Sequence, residues 1–229
     1  GQLVENGKTR CHETDQVPGG GGINVARNLN RFGVDVVAIL TAGGPRGELL
    51  KGLLARETFA CHYVDIHEDT RQSLALTETA SGKLFHLVFP GPELQKSEWQ
   101  RCLDVFEALQ PTPDFLVLSG SLPGGVPDDF YGKLARSAVE RGTRVILDTS
   151  GKALSFSGKT GVYLTKVNFG EFVELGYSGP RDYATIVAAM RDMVAQGLTH
   201  NLIVTLDADG ALLASSAGDK LHALPPETR

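Results

Sequence analysis

With 229 residues, 41% of them hydrophobic, the chain is long enough for one well-buried domain and a small appendage. Lys and Arg number 22 against 27 Asp and Glu, a net charge of −5 without a basic cluster, which argues against a nucleic-acid partner. No apolar run approaches the ~18 residues a membrane helix needs, and Cys11, Cys61 and Cys102 are too scattered for a disulfide framework or a zinc site, so a reducing cytoplasm is the expected compartment.

The first punctuated stretch is Pro18-Gly19-Gly20-Gly21-Gly22-Ile23-Asn24. Four glycines leave the backbone free to take φ > 0 and to approach a ligand closely. A helix is expected at once, with Val25, Leu29 and Phe32 as its apolar stripe and Gly33 at the αL C-cap. A glycine turn feeding a helix aims unpaired N–H groups at whatever binds there, and Asn24 in the first turn can face the same ligand. The run 34–41 is nearly all β-branched or apolar, as in a strand buried on both faces, and it ends in a second glycine loop, Gly43-Gly44. A helix over 48–57 follows. Residues 61–67, 72–78 and 83–89 then read as three strands of an antiparallel sheet, a lid or flap, with Ser81-Gly82 as a hairpin turn.

From Pro90 a βα rhythm returns. Ser97 and Gln100 predict a capping box for a helix striped by Trp99, Leu103 and Phe106. A strand over 114–118 leads to Ser119-Gly120-Ser121, and Pro127 is expected at N1 of the next helix, which Gly142 stops. Strands over 144–147 and 162–165 end in Asp148-Thr149-Ser150-Gly151 and Lys166-Val167-Asn168. A helix over 182–196, with Ile186, Val187, Met190 and Val194 on one side, precedes a strand over 201–206, the Asp209-Gly210 turn and a returning strand over 211–214. Strands alternating with helices imply right-handed βαβ units and a parallel sheet. Polar, glycine-rich loops gather at the strands' C-terminal ends, where open α/β sheets bind ligands. Neither the dinucleotide G-x-G-x-x-G with its later acid nor the P-loop G-K-[ST] is present. Spacing alone stops at an α/β enzyme with a small polar ligand, phosphorylated or not.

The stretch 19–26 with Gly33 and Gly43-Gly44 resembles the first signature of the ribokinase-like (PfkB) carbohydrate kinases. Thr70-Arg71, Pro90-Gly91-Pro92, Ser119-Gly120-Ser121-Leu122-Pro123, Asp148-Thr149-Ser150-Gly151, Lys166-Val167-Asn168 with Glu171, and the run from Thr205 to Ala211 recur in that family's order. The likeness runs along the whole chain and is strongest to the phosphosugar branch that includes the minor 6-phosphofructokinases. It implies an α/β fold, a ribokinase-like parallel sheet core flanked by helices with a small antiparallel β lid at about 61–89. It also implies ATP-dependent phosphorylation of a sugar phosphate with Mg²⁺. The all-glycine run, where fructose-1-phosphate and tagatose-6-phosphate kinases typically carry a lysine, tilts the implied reaction to fructose 6-phosphate giving fructose 1,6-bisphosphate. Those two kinases, a kinase of unphosphorylated sugars or nucleosides, and a non-catalytic sugar-phosphate-binding homologue are the alternatives.

By resemblance, Gly20, Gly21 and Asn24 hold the sugar hydroxyls, while Lys8, Arg71 and Ser121 hold the substrate phosphate or orient the sugar. Lys166, Asn168 and Glu171 approach the ATP phosphates, with Glu171 acting indirectly on Mg²⁺, and Thr205 and Gly210 belong to the nucleotide loop. A homodimer through the β lid is implied. Three residues depart from the family pattern: Val167 in place of proline, His86 in place of a lid arginine, and Asp207 in place of glycine, where a carboxylate would repel phosphates unless turned away. The family's Gly-Ala-Gly-Asp stretch, with the aspartate that takes the hydroxyl proton, is expected beyond Arg229, and an opening strand before Gly1. The resemblance therefore implies a single kinase domain over 1–229, truncated at both ends. It has no catalytic base of its own and is expected to be nearly inactive, since losing the base alone costs on the order of 10²–10⁴ in rate.

Overall fold

The computed structural model describes residues 3, 6–9, 11, 14–158 and 160–225; the expected domain limits at 1 and 229 lie outside them. The chain divides into two compact units, one of Gly1–Cys102 with Pro123–Gly125, the other of Leu103–Leu122 with Val126–Arg229.

The first unit contains α1 (Gly21–Arg31), β1 (Val37–Ala42), α2 (Gly44–Leu54), β2 (Ala60–Asp65), β3 (Ser73–Glu78) and β4 (Lys83–Val88). It also holds the opening turns of α3 (Lys96–Ala108). Strands β1 and β2 pair in parallel, from Val37 opposite Ala60 to Ala42 opposite Asp65. Their core is Ile23, Ala26, Ala38, Leu54 and Phe59. The expected stripe of α1 is therefore rotated. The helix starts inside the glycine run and buries Ile23 and Ala26, whereas Phe32, its C-cap, is 84% exposed where the chain turns through Gly33 at φ 76°. Strand β1 begins later than expected and is not buried on both faces, Val37 being exposed. Helix α2 begins at Gly44 rather than at 48, since Pro45 fits the first helical turn, where no N–H is required.

The run starting at Cys61 is not a lid strand: it lies in β2, parallel to β1. Among the described residues the expected antiparallel sheet is the two-stranded hairpin of β3 and β4, turned at Gly82 with φ 71°. The expected capping box at Ser97 and Gln100 is displaced as well, because α3 begins at Lys96. Buried Glu98 takes over, its carboxylate accepting from the amides of Gln95 (2.7 Å) and His67 (2.6 Å).

The second unit contains β5 (Phe115–Ser119), α4 (Phe130–Glu140), β6 (Arg144–Asp148), α5 (Gly151–Ser157), β7 (Leu164–Asn168) and α6 (Phe169–Glu174). After these come α7 (Tyr183–Ala195), β8 (Asn201–Thr205), β9 (Ala211–Ser215) and β10 (Lys220–Ala223). They form a six-stranded sheet in the order β10-β9-β8-β7-β6-β5, parallel from β5 to β8 and antiparallel beyond. Val145, Leu147, Val167, Leu202, Val204 and Leu212 are buried along its strands. Ile186, Val187, Met190 and Val194 of α7 are buried as their spacing predicts, each worth roughly 1.5–3 kcal/mol. Helix α4 begins at Phe130, and Pro127 lies in a preceding turn that accepts the Phe130 amide, not at N1. The short α5, α6 and β10 carry too few periodic positions to be read from sequence.

Candidate functional site

In the first unit, the chain turns into α1 at Gly20, whose φ of 115° only glycine adopts readily. The first intrahelical bond runs from the Asn24 amide to the Gly20 carbonyl (3.0 Å), so the amides between them are free of helix partners. A Cβ built on Gly19, Gly20 or Gly22 meets nothing within 4 Å, so the turn borders open space. Arg27, a residue the sequence reading passed over, organises this turn. Its guanidinium donates to Glu57 (2.7 Å), to the Asn24 Oδ1 (3.0 Å) and to the Pro18 carbonyl (3.0 Å). Asn24 thus sits on the turn with its amide nitrogen directed away from that bond. Lys8 is exposed on the segment preceding the glycines.

Helix α1 leads into β1 through a short turn, so its first turn and the Gly43-Gly44 loop share the carboxyl edge of β1. That loop packs tightly, since a Cβ on Gly43 would overlap the carbonyls of Ile66 and Glu68. Thr70 fixes it from the other side: its amide donates to the Gly43 carbonyl (2.9 Å), and its hydroxyl accepts from the Gly43 amide (3.0 Å). Arg71 follows directly, exposed at the root of the hairpin, and its Cδ lies 3.6 Å from where a Gly91 Cβ would stand. Gly20, Gly21, Asn24 and Arg71 are therefore all tied to this carboxyl edge, a glycine turn with open amides and a guanidinium carried beside the loop. His86 lies on β4 opposite Ala75, two pairs in from that root.

In the second unit, four loops line the carboxyl edge of β5 to β8. After β5, Gly120 (φ 100°) accepts from the Thr149 and Tyr131 hydroxyls at 2.9 and 3.1 Å and donates to the Asp148 carbonyl at 2.9 Å, which sets Ser121 exposed beside the end of β6. Asp148, also unassigned from sequence, pairs with Lys166 at 3.2 Å across β6 and β7. Lys166 is half-exposed, so the pair leaves part of its ammonium open. Asn168 and Glu171 close a reciprocal capping box on α6: the Asn168 side chain accepts from the Glu171 amide (2.9 Å), and the Glu171 carboxylate accepts from the Asn168 amide (2.7 Å). One oxygen of Glu171 does this work, leaving the other for water. Val167 is fully buried within the β7 ladder opposite Val204, so the residue in proline's place continues the strand.

Thr205 ends β8, its hydroxyl on the Val167 carbonyl (3.4 Å), and the chain then turns through Asp207 (φ 55°) to Gly210 (φ 90°). Gly210 has no room for a side chain, because a Cβ there would overlap the Ala223 carbonyl. The Asp207 carboxylate meets Arg181 at 3.3 Å, the arginine standing just before the Asp182 cap of α7. The Thr185 amide on Asp182 (3.0 Å) holds that carboxyl below its usual range. Among the described residues no three His, Cys, Asp or Glu converge on a metal position. The Glu171 carboxylate oxygen that the capping box leaves unused is available on this edge as an acceptor for a metal-bound water. Lys166, Asn168, Glu171, Thr205 and Gly210 all lie on this one edge, Ser121 on the same sheet; Lys8, Gly20, Gly21, Asn24 and Arg71 belong to the other unit.

A family model described as pfkB family carbohydrate kinase matches residues 2–229. The chain is 35% identical over 219 residues to the ATP-dependent 6-phosphofructokinase isozyme 2 of Mycobacterium tuberculosis, covering 95% of this chain and 64% of that one. It is 34% identical over 229 residues to the enzyme of the same name from Escherichia coli, covering 100% of this chain and 74% of that one. The crystal structure of phosphofructokinase-2 from Escherichia coli in complex with fructose-6-phosphate superposes with a TM-score of 0.93 at 34% identity, over 100% of this chain and 75% of that one. The chain thus spans just under two thirds of the length of the Mycobacterium tuberculosis relative.

Proposed function

The chain belongs to the pfkB family of carbohydrate kinases and has its ribokinase-like α/β fold, and from that we propose that it transfers the γ-phosphoryl group of ATP to a phosphorylated hexose, fructose 6-phosphate first among them. The observation that carries the reading is the division of labour along the strand ends. The glycine turn and Asn24, and Arg71 in the same unit, offer amides, an amide side chain and a guanidinium, which suit a sugar bearing a phosphate. The edge of β6 to β8 offers Lys166, Asn168 and the turn after Thr205, which suit a nucleotide. Phosphoryl transfer asks a protein for positioning and charge neutralisation above all.

In this reading Gly20, Gly21 and Asn24 bind the sugar hydroxyls, and Arg27 keeps the Asn24 side chain in place. Arg71 anchors the substrate phosphate through charge-assisted bonds, with Lys8 and Ser121 as further contacts. Lys166, steadied by Asp148, faces the nucleotide phosphates. Glu171 would orient water around a Mg²⁺ bound with ATP, an ion that would supply charge neutralisation of the phosphate oxygens. We read the two units as parts of one cytoplasmic kinase domain, the β3–β4 hairpin being its lid and the contact between two copies in a homodimer.

Calorimetric titration tests the sugar half of this reading. Fructose 6-phosphate is expected to bind at least roughly ten-fold more tightly than fructose, and Arg71→Ala to erase most of that difference, since one charged bond contributes about 1.5–3 kcal/mol. Equal affinities for the two sugars in the unaltered protein would contradict it.

A further inference from the structure

Asp207 stands in the turn where the proposed nucleotide phosphates arrive, in a left-handed conformation (φ 55°) that a non-glycine residue seldom adopts. Its carboxylate is not left to face that edge alone. Arg181 reaches across from the segment before α7 and donates to the Leu206 carbonyl (3.0 Å) and to Asp207 (3.3 Å), with Asp209 at 3.7 Å. The same guanidinium lies 4.9 Å from the ring centre of Phe169, the first residue of α6 and the neighbour of Asn168. Asp182 fixes its backbone by capping α7. On the other side of the turn, the His222 ring nitrogen donates to the Asp209 carbonyl (2.9 Å). One cation therefore pairs with both carboxylates, leaving the cluster one negative charge instead of two, and ties the turn after β8 to the first turn of α6, the two segments that carry Asn168, Glu171, Thr205 and Gly210.

We propose that Arg181 is a positioning residue for the nucleotide: it holds Asp207 and Asp209 in one ion cluster and strings the 206–210 turn to α6, so that this edge accepts a polyphosphate despite its two carboxylates. The proposal rests on the reading of this edge as the ATP site. It explains how an aspartate stands where the family pattern has glycine. Without Arg181, the Asp207 charge is free to oppose the incoming phosphates.

The experiment is calorimetric titration of the full-length protein with adenosine, AMP, MgADP and MgATP. Arg181→Ala is expected to lose about ten-fold in MgATP affinity and progressively less for MgADP and AMP, with adenosine unchanged, because the penalty follows how many phosphates are brought up against the Asp207 carboxylate. The loss should shrink as salt is raised. Arg181→Ala combined with Asp207→Gly should regain most of the affinity, glycine being at ease at that φ. Asp207→Gly alone should bind MgATP at least as tightly as the unaltered protein, a result that does not depend on how well Arg181→Ala folds. Unchanged MgATP affinity in Arg181→Ala, or an equal loss for all four ligands, overturns the proposal. A double variant that stays weak overturns it too, since Arg181 would then touch the phosphates itself. If the unaltered protein binds none of the four, the nucleotide reading of the edge falls, and the role of Arg181 with it.

Discussion

Arg27 meets Glu57, Asn24 and Pro18 at once, and its side chain is only 18% exposed. Removing it strips an ion pair, an amide contact and a carbonyl contact from the glycine turn in one step. Arg27→Ala is expected to cost about 2 kcal/mol, because the half-buried Glu57 is left unpaired, and to lower Tm by roughly 4–8 °C. The paired change Arg27→Met with Glu57→Leu replaces the ions by apolar groups and should recover most of that stability. It should not recover fructose 6-phosphate affinity, since Asn24 and Pro18 still lack their partner. Thermal unfolding and sugar titration on the same samples separate the two effects, and affinity that returns together with stability would contradict the role given to Arg27.

At the scale of elements, the β3–β4 hairpin stands out for what it leaves uncovered. Its register sets Leu74 opposite Leu87 and Leu76 opposite Phe85, an apolar face in which Leu74 and Leu87 remain 43% and 50% exposed. Phe89, just past the strand, is 50% exposed, and Val88, paired with Ser73, is 65% exposed on the opposite face. A lone two-stranded hairpin is marginal in water, and a contiguous apolar patch of this kind marks an interaction surface. The account predicts a dimer by sedimentation, converted to monomer by Leu87→Lys with little change in the fold. A monomeric unaltered protein, or a Leu87→Lys dimer of undiminished strength, would contradict the proposed contact.

The same elements mark how far sequence reaches. The α7 stripe and the loops at the strand ends were legible because four apolar positions at helical spacing, or a glycine after a β-branched run, have one economical reading. The stripe of α1 was misplaced because the glycines that open the turn also begin the helix, which shifts its buried face to Ile23 and Ala26. The run after Cys61 looked like its antiparallel neighbours because a short half-exposed strand has the same pattern whichever way its partner runs; only the pairing with β1 decides it. Arg27, Asp148 and Arg181 were missed for a different reason. Each is anchored by an ion-pair partner 30, 18 or 26 residues away, and local spacing carries no trace of such a contact.

For the whole molecule, the central claim is that a sugar-phosphate site and a nucleotide site serve one transfer reaction. The most direct measurement is ADP release from MgATP by the full-length protein, with fructose 6-phosphate, fructose 1-phosphate, tagatose 6-phosphate and free fructose offered in parallel. The account predicts turnover on a phosphorylated hexose, fructose 6-phosphate foremost, and little on fructose. ADP release with fructose alone, or with none of the four sugars, would contradict it.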